Sequence, residues 1–318
     1  MTRITILHLG KAATFFAICA ITDTLHSAEP ASGGSFLDLP AVSSINGKLA
    51  YSGGSMESFE SHNVDGSVSI PVGERFGFQA DGLYSNIDGD DFYGGAGHVF
   101  WRKPDLGLIG ITGGYLFREG VETYHAGAEV EYYWKRLTLR GFAGIGALTY
   151  EFPVPFIDSD PMRFAGTLGA SYYLLEDLRA GVSYSTVLHN HLGKAEVEYQ
   201  TPVSGLTLTG EFALGEHDYD HWLVGVRWYF GEKKSLRARH RTDDPPSLMP
   251  QILQGLGVYG ADFNKRARHY LRQDHLPGSG TVYGSSFSFG VESQMYIGWP
   301  SGINSGVADF DPTLDATP

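Results

Sequence analysis

Apolar and polar positions alternate along residues 45–231, in segments of about eight to ten residues that tend to end in aromatic side chains. The last segment is the clearest, because every second residue is apolar and these residues share one face of an extended chain: Trp222, Val224, Val226, Trp228 and Phe230. Gly225 and Arg227 fall on the opposite face. Successive side chains of a strand point to opposite sides, so the pattern predicts β-strands with one apolar face and one polar or small-residue face.

Connections of two kinds alternate between these segments, and together they predict about twelve strands. The tight connections are 71–76, 103–107, 135–138, 176–179 and 202–206. The longer and more acidic connections are 53–63, 86–91, 118–123, 152–160, 188–193 and 216–220. Short turns on one side, longer loops on the other and an even strand number are typical of an antiparallel up-and-down transmembrane β-barrel. We expect the short turns to lie in the periplasm.

One register places the mid-strand charges on the inner face of such a barrel. An Arg or Lys that faced hydrocarbon at the membrane midplane would cost about 2–4 kcal/mol, so this is the register we expect. The side chains predicted to line the lumen are Asp81, Glu129, Glu131, Arg140, Arg179, Glu196, Glu198, Glu211 and Arg227. A soluble β-sandwich or lipocalin-like barrel also alternates, but it would bury the aromatic side chains rather than place them at strand ends.

The composition agrees with an all-β chain. Of 318 residues, 42 are glycine, 13% are aromatic and only 19% are charged. Glycine suits close approach of neighbouring strands, and aromatic residues suit the two membrane interfaces. No run approaches the roughly 18 apolar residues of a transmembrane helix, so a membrane location requires a closed barrel.

Residues 1–28 have the features of a secretory signal peptide. Arg3 and Lys11 provide positive charge, and residues 12–21 provide a short apolar core. Cys19, the only cysteine of the chain, lies in this core, so a mature chain would contain no thiol. Residues 29–45 are then expected to form a periplasmic segment that precedes the barrel, which we assign to residues 46–231.

The end of the last segment resembles a known assembly signal. Gly225, Trp228 and Phe230 are spaced like the C-terminal β-signal of bacterial outer-membrane barrel proteins, the class that includes porin-like and OmpA-like barrels. The resemblance implies an outer membrane with its lipopolysaccharide and lipid, and insertion by the barrel-assembly machinery. This chain departs from the family pattern in two ways: Leu223 replaces the usual polar residue, and residues 231–318 follow Phe230.

The segment after the barrel is expected to form a periplasmic tail, partly disordered, over residues 232–318. Residues 233–246 are polar and end in two prolines, which predicts an exposed linker. Residues 264–274 are basic and predict a short helix, whereas residues 281–299 alternate again. That last stretch is expected to form either a plug in the barrel mouth or an extra hairpin.

The balance of charge bears on function. The net charge of −13 disfavours nucleic acid as a partner. An acidic barrel concentrates cations at its mouth, so the lumen residues favour a small, porin-like diffusion channel with a preference for cations. The alternative is a plugged barrel with a structural or surface-interaction role.

Loop carboxylates and histidines are the only support for an enzyme at the barrel rim. His217, Asp218, Asp220 and His221 supply the residue types of an omptin-like protease, in which a histidine oriented by a carboxylate acts as general base. The omptin motif does not otherwise match, and the strands contain no His-x-Ser pair for a phospholipase-like nucleophile. We therefore expect no enzymatic activity.

Two groups of loop residues have metal-ligand spacing. Asp88, Asp90 and Asp91 offer the hard oxygen ligands that calcium prefers, although Asp and Gly also favour an ordinary turn. His189 and His191 face the same way on an extended chain and would suit zinc, with a solvated loop as the alternative. No cofactor is expected.

Overall fold

The computed structural model describes residues 39–118, 121–150 and 162–272. Twelve strands make up most of this part of the chain: β1 (Asn46–Met56), β2 (Phe59–Val72), β3 (Phe76–Ile87), β4 (Asp90–Lys103), β5 (Gly107–Arg118), β6 (Val121–Trp134), β7 (Leu137–Tyr150), β8 (Arg163–Leu175), β9 (Leu178–Val187), β10 (Asn190–Gln200), β11 (Leu206–Gly215) and β12 (Asp220–Phe230). The predicted signal peptide and the alternating stretch at 281–299 lie outside the described residues.

Each strand pairs antiparallel with its sequence neighbours, and the last strand pairs with the first. The register of β1 and β12 runs from Gly47 opposite Phe230 to Met56 opposite His221, which closes the sheet. The prediction of a twelve-stranded up-and-down barrel is therefore confirmed. β1 begins and β12 ends on the side of the five tight turns; we call this the turn end of the barrel and the opposite side the loop end.

The outer face is apolar and carries exposed aromatic side chains near both ends. Near the loop end these include Tyr84, Tyr93, Tyr115, Tyr124, Tyr184 and Trp222, and near the turn end they include Phe76, Tyr132, Trp134, Tyr172, Tyr199, Trp228 and Phe230. Aliphatic residues such as Val99, Ile111 and Leu168 are exposed between the two sets. Strands of 10 to 14 residues are long enough to cross the hydrocarbon layer. The architecture is that of a bacterial outer-membrane β-barrel.

The connections at the loop end are shorter than we expected. Strands continue through most of the predicted loops and leave two-residue connections at 57–58, 88–89 and 188–189. Both residues of each connection have positive φ, which is the geometry of a type I′ hairpin turn. Acidic residues expected in loops instead occupy strand ends. Among the connections that the structure describes, length therefore does not distinguish the two ends as the sequence suggested.

Two helices follow β12, and both lie against the inside of the barrel: α1 (Leu236–Thr242) and α2 (Met249–Arg272). The expectation of an exposed linker at 233–246 is wrong for Leu236, Arg239, Thr242 and Asp243, which are at most 3% exposed. The short basic helix predicted at 264–274 is the end of the longer α2. Within the described part of the chain, neither helix has the length and mean hydropathy that a membrane-crossing helix needs.

Candidate functional site

The lumen of the barrel is the candidate site, and the chain itself fills much of it. The turn-end mouth is covered by α1. Leu236 is fully buried against Tyr173 and Tyr229, and the Ser235 side chain caps the helix by accepting a hydrogen bond from the Ala238 amide at 3.4 Å. Arg241 donates to the Leu137 carbonyl at 3.1 Å. The mouth is thus closed by both apolar packing and polar anchors.

Residues 39–45, which precede β1, also contact α1 at the turn-end mouth. The Ser43 amide donates to the Thr242 carbonyl at 2.9 Å, and the Ser43 hydroxyl bonds the Asp243 carboxylate. Lys234 approaches that carboxylate at 2.8 Å. Residues predicted to be a periplasmic segment and a linker therefore bind each other across the opening.

Residues 243–248 lead from α1 down into the lumen. Two prolines, Pro245 and Pro246, prevent the helix from continuing because proline lacks an amide donor. The Pro245 carbonyl accepts hydrogen bonds from Lys48 at 2.9 Å and Gln79 at 3.2 Å. The Leu248 amide donates to Asp81 at 3.1 Å, which fixes the start of α2 near the middle of the barrel.

The loop-end half of the lumen contains a belt of apolar side chains that forms a seat for α2. The inward side chains of this apolar belt are Met56, Leu83, Ile87, Phe92, Leu116, Val121, Leu148, Val187, Leu192 and Leu223. The helix presents to them a stripe at helical spacing: Met249, Ile252, Leu253, Leu256 and Tyr259. Full burial of one such side chain contributes about 1.5–3 kcal/mol. The helix is therefore held in the barrel mainly by hydrophobic packing.

Close packing leaves almost no space on one side of α2. A Cβ built on Gly255 would lie 2.9 to 3.1 Å from the Cγ1, Cγ2 and Cβ atoms of Val187, and Val187 is 4% exposed. With valine at position 187, a residue larger than glycine at position 255 would force the helix or the Val187 side chain to shift. Polar contacts hold the other sides of the helix: Gln254 donates to Glu211 at 2.8 Å, and His217 lies 3.3 Å from Asp262 at the loop end.

Two carboxylates on β10 form a network of ion pairs with three arginines in the polar half of the lumen, which is the half nearer the turn end. Glu196 pairs with Arg179 at 2.9 Å and with Arg140 at 3.1 Å. Glu198, which is 1% exposed, pairs with Arg227 at 3.1 Å and with Arg179 at 3.4 Å. Because residues two apart in a strand share a face, both carboxylates point inward and share one arginine.

A second charged group lies on the opposite wall. His98 is 1% exposed and contacts Asp81 at 3.0 Å through Nε2 and Glu129 at 3.0 Å through Nδ1. Asp81 also accepts the Leu248 amide. The start of α2 is thereby connected to an ion-pair chain that spans β3, β4 and β6.

A cavity of about 180 Å³ remains beside the first turn of α2. Its lining combines apolar surface with charged and polar side chains, among them Lys48, Asp65, Arg140, Lys194 and Gln251. A polar space of this size holds several water molecules. The polar half of the lumen is therefore neither solidly packed nor open from one end to the other.

All nine side chains predicted for the lumen are on strand positions that face inward. Arg140, Arg179, Glu196, Glu198 and Arg227 form the β10 network, and Lys194 joins Glu211 to it, at 3.3 Å from Glu211 and 3.4 Å from Glu196. Asp81 and Glu129 meet through His98, whereas Glu131 stands apart and accepts a hydrogen bond from Tyr133 at 2.6 Å.

Sequence reasoning missed several inward residues and did not place α1 and α2 in the lumen. Lys48, His98 and Lys194 follow the same two-residue alternation, so the sequence could have identified them as inward residues. The apolar spacing of Met249 to Tyr259 also predicts an amphipathic helix. The pattern does not show that this helix packs against the inside of the barrel.

The structure does not bring the candidate calcium ligands together. Asp91 accepts hydrogen bonds from Tyr84 at 2.9 Å and Asn86 at 2.7 Å on the outer side, whereas Asp90 pairs with Arg118 at 3.0 Å. Adjacent residues of a strand point to opposite faces, which separates these carboxylates. Among the described residues, no cluster of three or more His, Cys, Asp or Glu side chains could hold a metal ion.

The histidines at the loop end have structural partners. His221 points inward, 3.2 Å from Glu211, and His217 bonds Asn190 at 3.1 Å and faces Asp262 of α2. His191 lies on the outer face, stacked on Tyr184 with its Nδ1 2.7 Å from the phenol oxygen, and His189 occupies a hairpin turn. The rim residues therefore hold α2 or the hairpins rather than converge on one point.

His240 makes the docking of α1 sensitive to pH. It lies between the hydroxyls of Tyr173 and Tyr229, at 2.9 Å from each, and burial lowers its pKa to about 3 despite the nearby Glu198. Free in solution, His240 would titrate near pH 6.5. Between those two values only the undocked state takes up the proton, so docking weakens as the pH falls from 6.5 towards 3.

We expect amide hydrogen exchange of Leu236–Thr242 to speed up between pH 7 and pH 4.5, after correction for the intrinsic rate. His240→Gln keeps a neutral group at this position, so the variant should lose most of this pH dependence. Equal pH dependence in the two proteins would assign the effect to other groups.

Comparisons with known proteins give likenesses of fold. No family model matches the chain, and no curated protein matches it. Among solved structures, the KdgM porin is 11% identical, with 58% of this chain and 99% of that chain covered and a TM-score of 0.44. Omp33 of Acinetobacter baumannii is 11% identical over 58% and 98% of the two chains, with a TM-score of 0.41. The NanC porin is 9% identical over 58% and 99%, also with a TM-score of 0.41.

Proposed function

We propose that this protein is an outer-membrane diffusion channel held closed by its own C-terminal helix. The observation that carries the proposal is the packing of α2 into the apolar belt directly beside a cavity lined by charged side chains. A barrel that served only as a solid anchor would have no need for buried charges around a polar space. Channels, in contrast, line their pathway with charged rings.

The charges of the polar half support only a weak preference for cations. Its carboxylates are Asp65, Asp81, Glu129, Glu131, Glu196, Glu198 and Glu211, and its basic side chains are Lys48, Arg102, Arg140, Arg179, Lys194 and Arg227. The two sets nearly balance, since the inward Lys48, Arg102 and Lys194 add to the predicted arginines. We therefore propose a small excess of cation over anion permeability once the helix is displaced.

A permanently plugged barrel with a structural role is the second candidate. It is favoured by the double closure of the turn-end mouth, where α1 and residues 39–45 bind each other as well as the wall. The two candidates differ in what happens when α2 is weakened: a channel opens, whereas a structural barrel unfolds or stays silent.

We also propose that Gly225, Trp228 and Phe230 direct barrel assembly, with the outer-membrane lipid and the assembly machinery as partners. Support comes from their place in β12, the strand that closes the barrel. A Cβ at Gly225 would lie 2.3 Å from the Tyr51 carbonyl oxygen across the seam with β1, so closure requires glycine there. Trp228 and Phe230 lie on the lipid-facing side at the turn end.

Gly255→Leu tests the gate with one substitution. The new side chain would overlap Val187, and overpacking of this kind costs about 1–3 kcal/mol, so we expect α2 to leave its seat part of the time. In planar bilayers the wild-type protein should be silent and the variant should show stepwise openings. The double variant Gly255→Leu with Val187→Ala regains space and should return close to silence.

A disulfide provides the matched control. The ideal Cβ of residue 255 lies 3.1 Å from the Val187 Cβ, close to the roughly 3.5–4.5 Å that a disulfide needs. Oxidised Gly255→Cys/Val187→Cys should be silent. Conductance by this locked form, or silence of a folded Gly255→Leu variant, would contradict a gate formed by α2.

A further inference from the structure

We propose that α2 carries the C-terminus of the chain through the barrel, so that residues beyond 272 are displayed on the loop side of the membrane. Both strands that close the barrel, β1 and β12, start or end at the turn end. The chain would therefore return across the membrane inside its own lumen. The tail would lie on the opposite side of the membrane from the turn end, whereas the sequence suggested that it stays on the turn side.

The contacts of α2 follow its course from mid-barrel to the loop end. The helix begins beside Asp81, near the middle of β3, where the Leu248 amide donates to the carboxylate. One to two turns later, Gly255 packs on Val187, the last residue of β9 at the loop end. Asp262 then lies 3.3 Å from His217 in the connection between β11 and β12. The direction of the helix is thus fixed at three depths.

The length of α2 carries it past the barrel wall. The helix has 24 residues, which corresponds to about 36 Å at 1.5 Å per residue. Asp262 already lies at the level of the loops, and the helix continues to Arg272. Those last residues extend roughly 15 Å further in the same direction. The chain therefore leaves the barrel at the loop end.

The charge of the emerging turns fits this location. Residues 263–272 contain Lys265, Arg266, Arg268 and Arg272 and no acidic residue, whereas the following residues 273–318 contain no Lys or Arg. The loop end of the barrel is acidic and carries Glu57, Glu60, Asp88, Asp90, Asp91, Glu122, Glu216, Asp218 and Asp220. A basic stretch of chain that leaves the barrel at its acidic end is favoured there by long-range attraction between opposite charges.

Epitope tags at three positions test the topology in intact cells that express the full chain. One tag follows Pro318, one is inserted between Asp88 and Gly89 at the loop end, and one between Val203 and Ser204 at the turn end, where the turn residues are exposed. We expect the C-terminal tag and the loop-end tag to share the same accessibility to antibody and protease. The turn-end tag should show the opposite accessibility until the outer membrane is permeabilised.

The proposal would be overturned if the C-terminal tag had the same accessibility to antibody and protease as the turn-end tag. The comparison needs no assumption about which end faces the cell exterior, because the loop-end tag reports that independently. The oxidised Gly255→Cys/Val187→Cys variant adds a second measurement: the C-terminal tag should stay accessible while α2 is locked in the lumen. Loss of accessibility on oxidation would mean that the tail reaches the surface only when the helix is released, and would also overturn it.

The proposal that the tail is displayed and the proposal that α2 closes a channel can be disproved independently. A barrel that never conducts can still present its C-terminus on the loop side, and a conducting barrel can keep it at the turn end. Conductance therefore tests the gate, whereas accessibility of the tags tests the path of the chain.

Discussion

A chain that ends after Glu232 is expected to conduct ions where the full-length protein is silent. The truncation removes α1 and α2 but leaves all twelve strands and their hydrogen-bonded closure. The space vacated by α2 is about 10–12 Å wide, the diameter of a helix with its side chains, which is wide enough to stay filled with water even within the apolar belt. We expect conductance at least about tenfold above that of the full chain in planar bilayers.

A second truncation separates the contributions of the two helices. A chain that ends after Pro246 keeps α1 over the turn-end mouth, where Leu236, Arg239 and Arg241 are buried. It should conduct less than the shorter chain because one mouth stays covered. Equal silence of both truncated proteins, with normal heat-modifiable migration on gels as proof of folding, would exclude the channel and favour the structural barrel.

Glu198→Ala is expected to cause the largest loss of stability of any single substitution in the lumen. Its carboxylate accepts hydrogen bonds from Tyr229 at 2.8 Å and from Thr207 and Arg227 at 3.1 Å each, and it is 1% exposed. Removing one partner of a buried ion pair leaves an uncompensated charge and costs about 3–5 kcal/mol. We expect the barrel to unfold at a temperature roughly 10 °C lower, measured by heat-modifiable migration in detergent.

Glu60→Ala is the matched control for this substitution. Glu60 also pairs with a side chain on its own sheet, His62 at 3.2 Å, but its side chain is 78% exposed on the outer face. An exposed pair contributes less than about 1 kcal/mol, so the unfolding temperature should change little. Equal effects of the two substitutions would mean that the β10 network does not stabilise the barrel more than a surface ion pair does.

The position of a residue on the inner or outer face was predictable because it depends on local geometry alone. The two-residue alternation of a strand assigns Trp228 to lipid and Arg227 to the lumen without knowledge of any other strand. The same rule placed Asp81, Glu129 and Glu198 inside. It could not say that Asp81 and Glu129 share His98, because that contact depends on the register between β3, β4 and β6.

The loops show where local rules failed. Residues 188–193 are polar and were expected to form a loop, yet only Leu188 and His189 turn the chain. Hydrogen bonds to neighbouring strands extend β9 and β10 beyond the apolar zone. The intrinsic propensity of a polar stretch does not include the stabilisation that these hydrogen bonds provide. Asp90 and Asp91 were separated for the same reason, since they became strand residues on opposite faces.

By itself the sequence determined the class of protein: the strand number, the apolar exterior and the inward charges follow from alternation and from the cost of a charge in hydrocarbon. Only the tertiary structure decided what fills the lumen. The segment after β12 has both polar and apolar residues, and its burial depends on partners far away in sequence, such as Lys48 for Pro245, Val187 for Gly255 and His217 for Asp262. Contacts of that kind exist only once the barrel has closed, so no local pattern could reveal them.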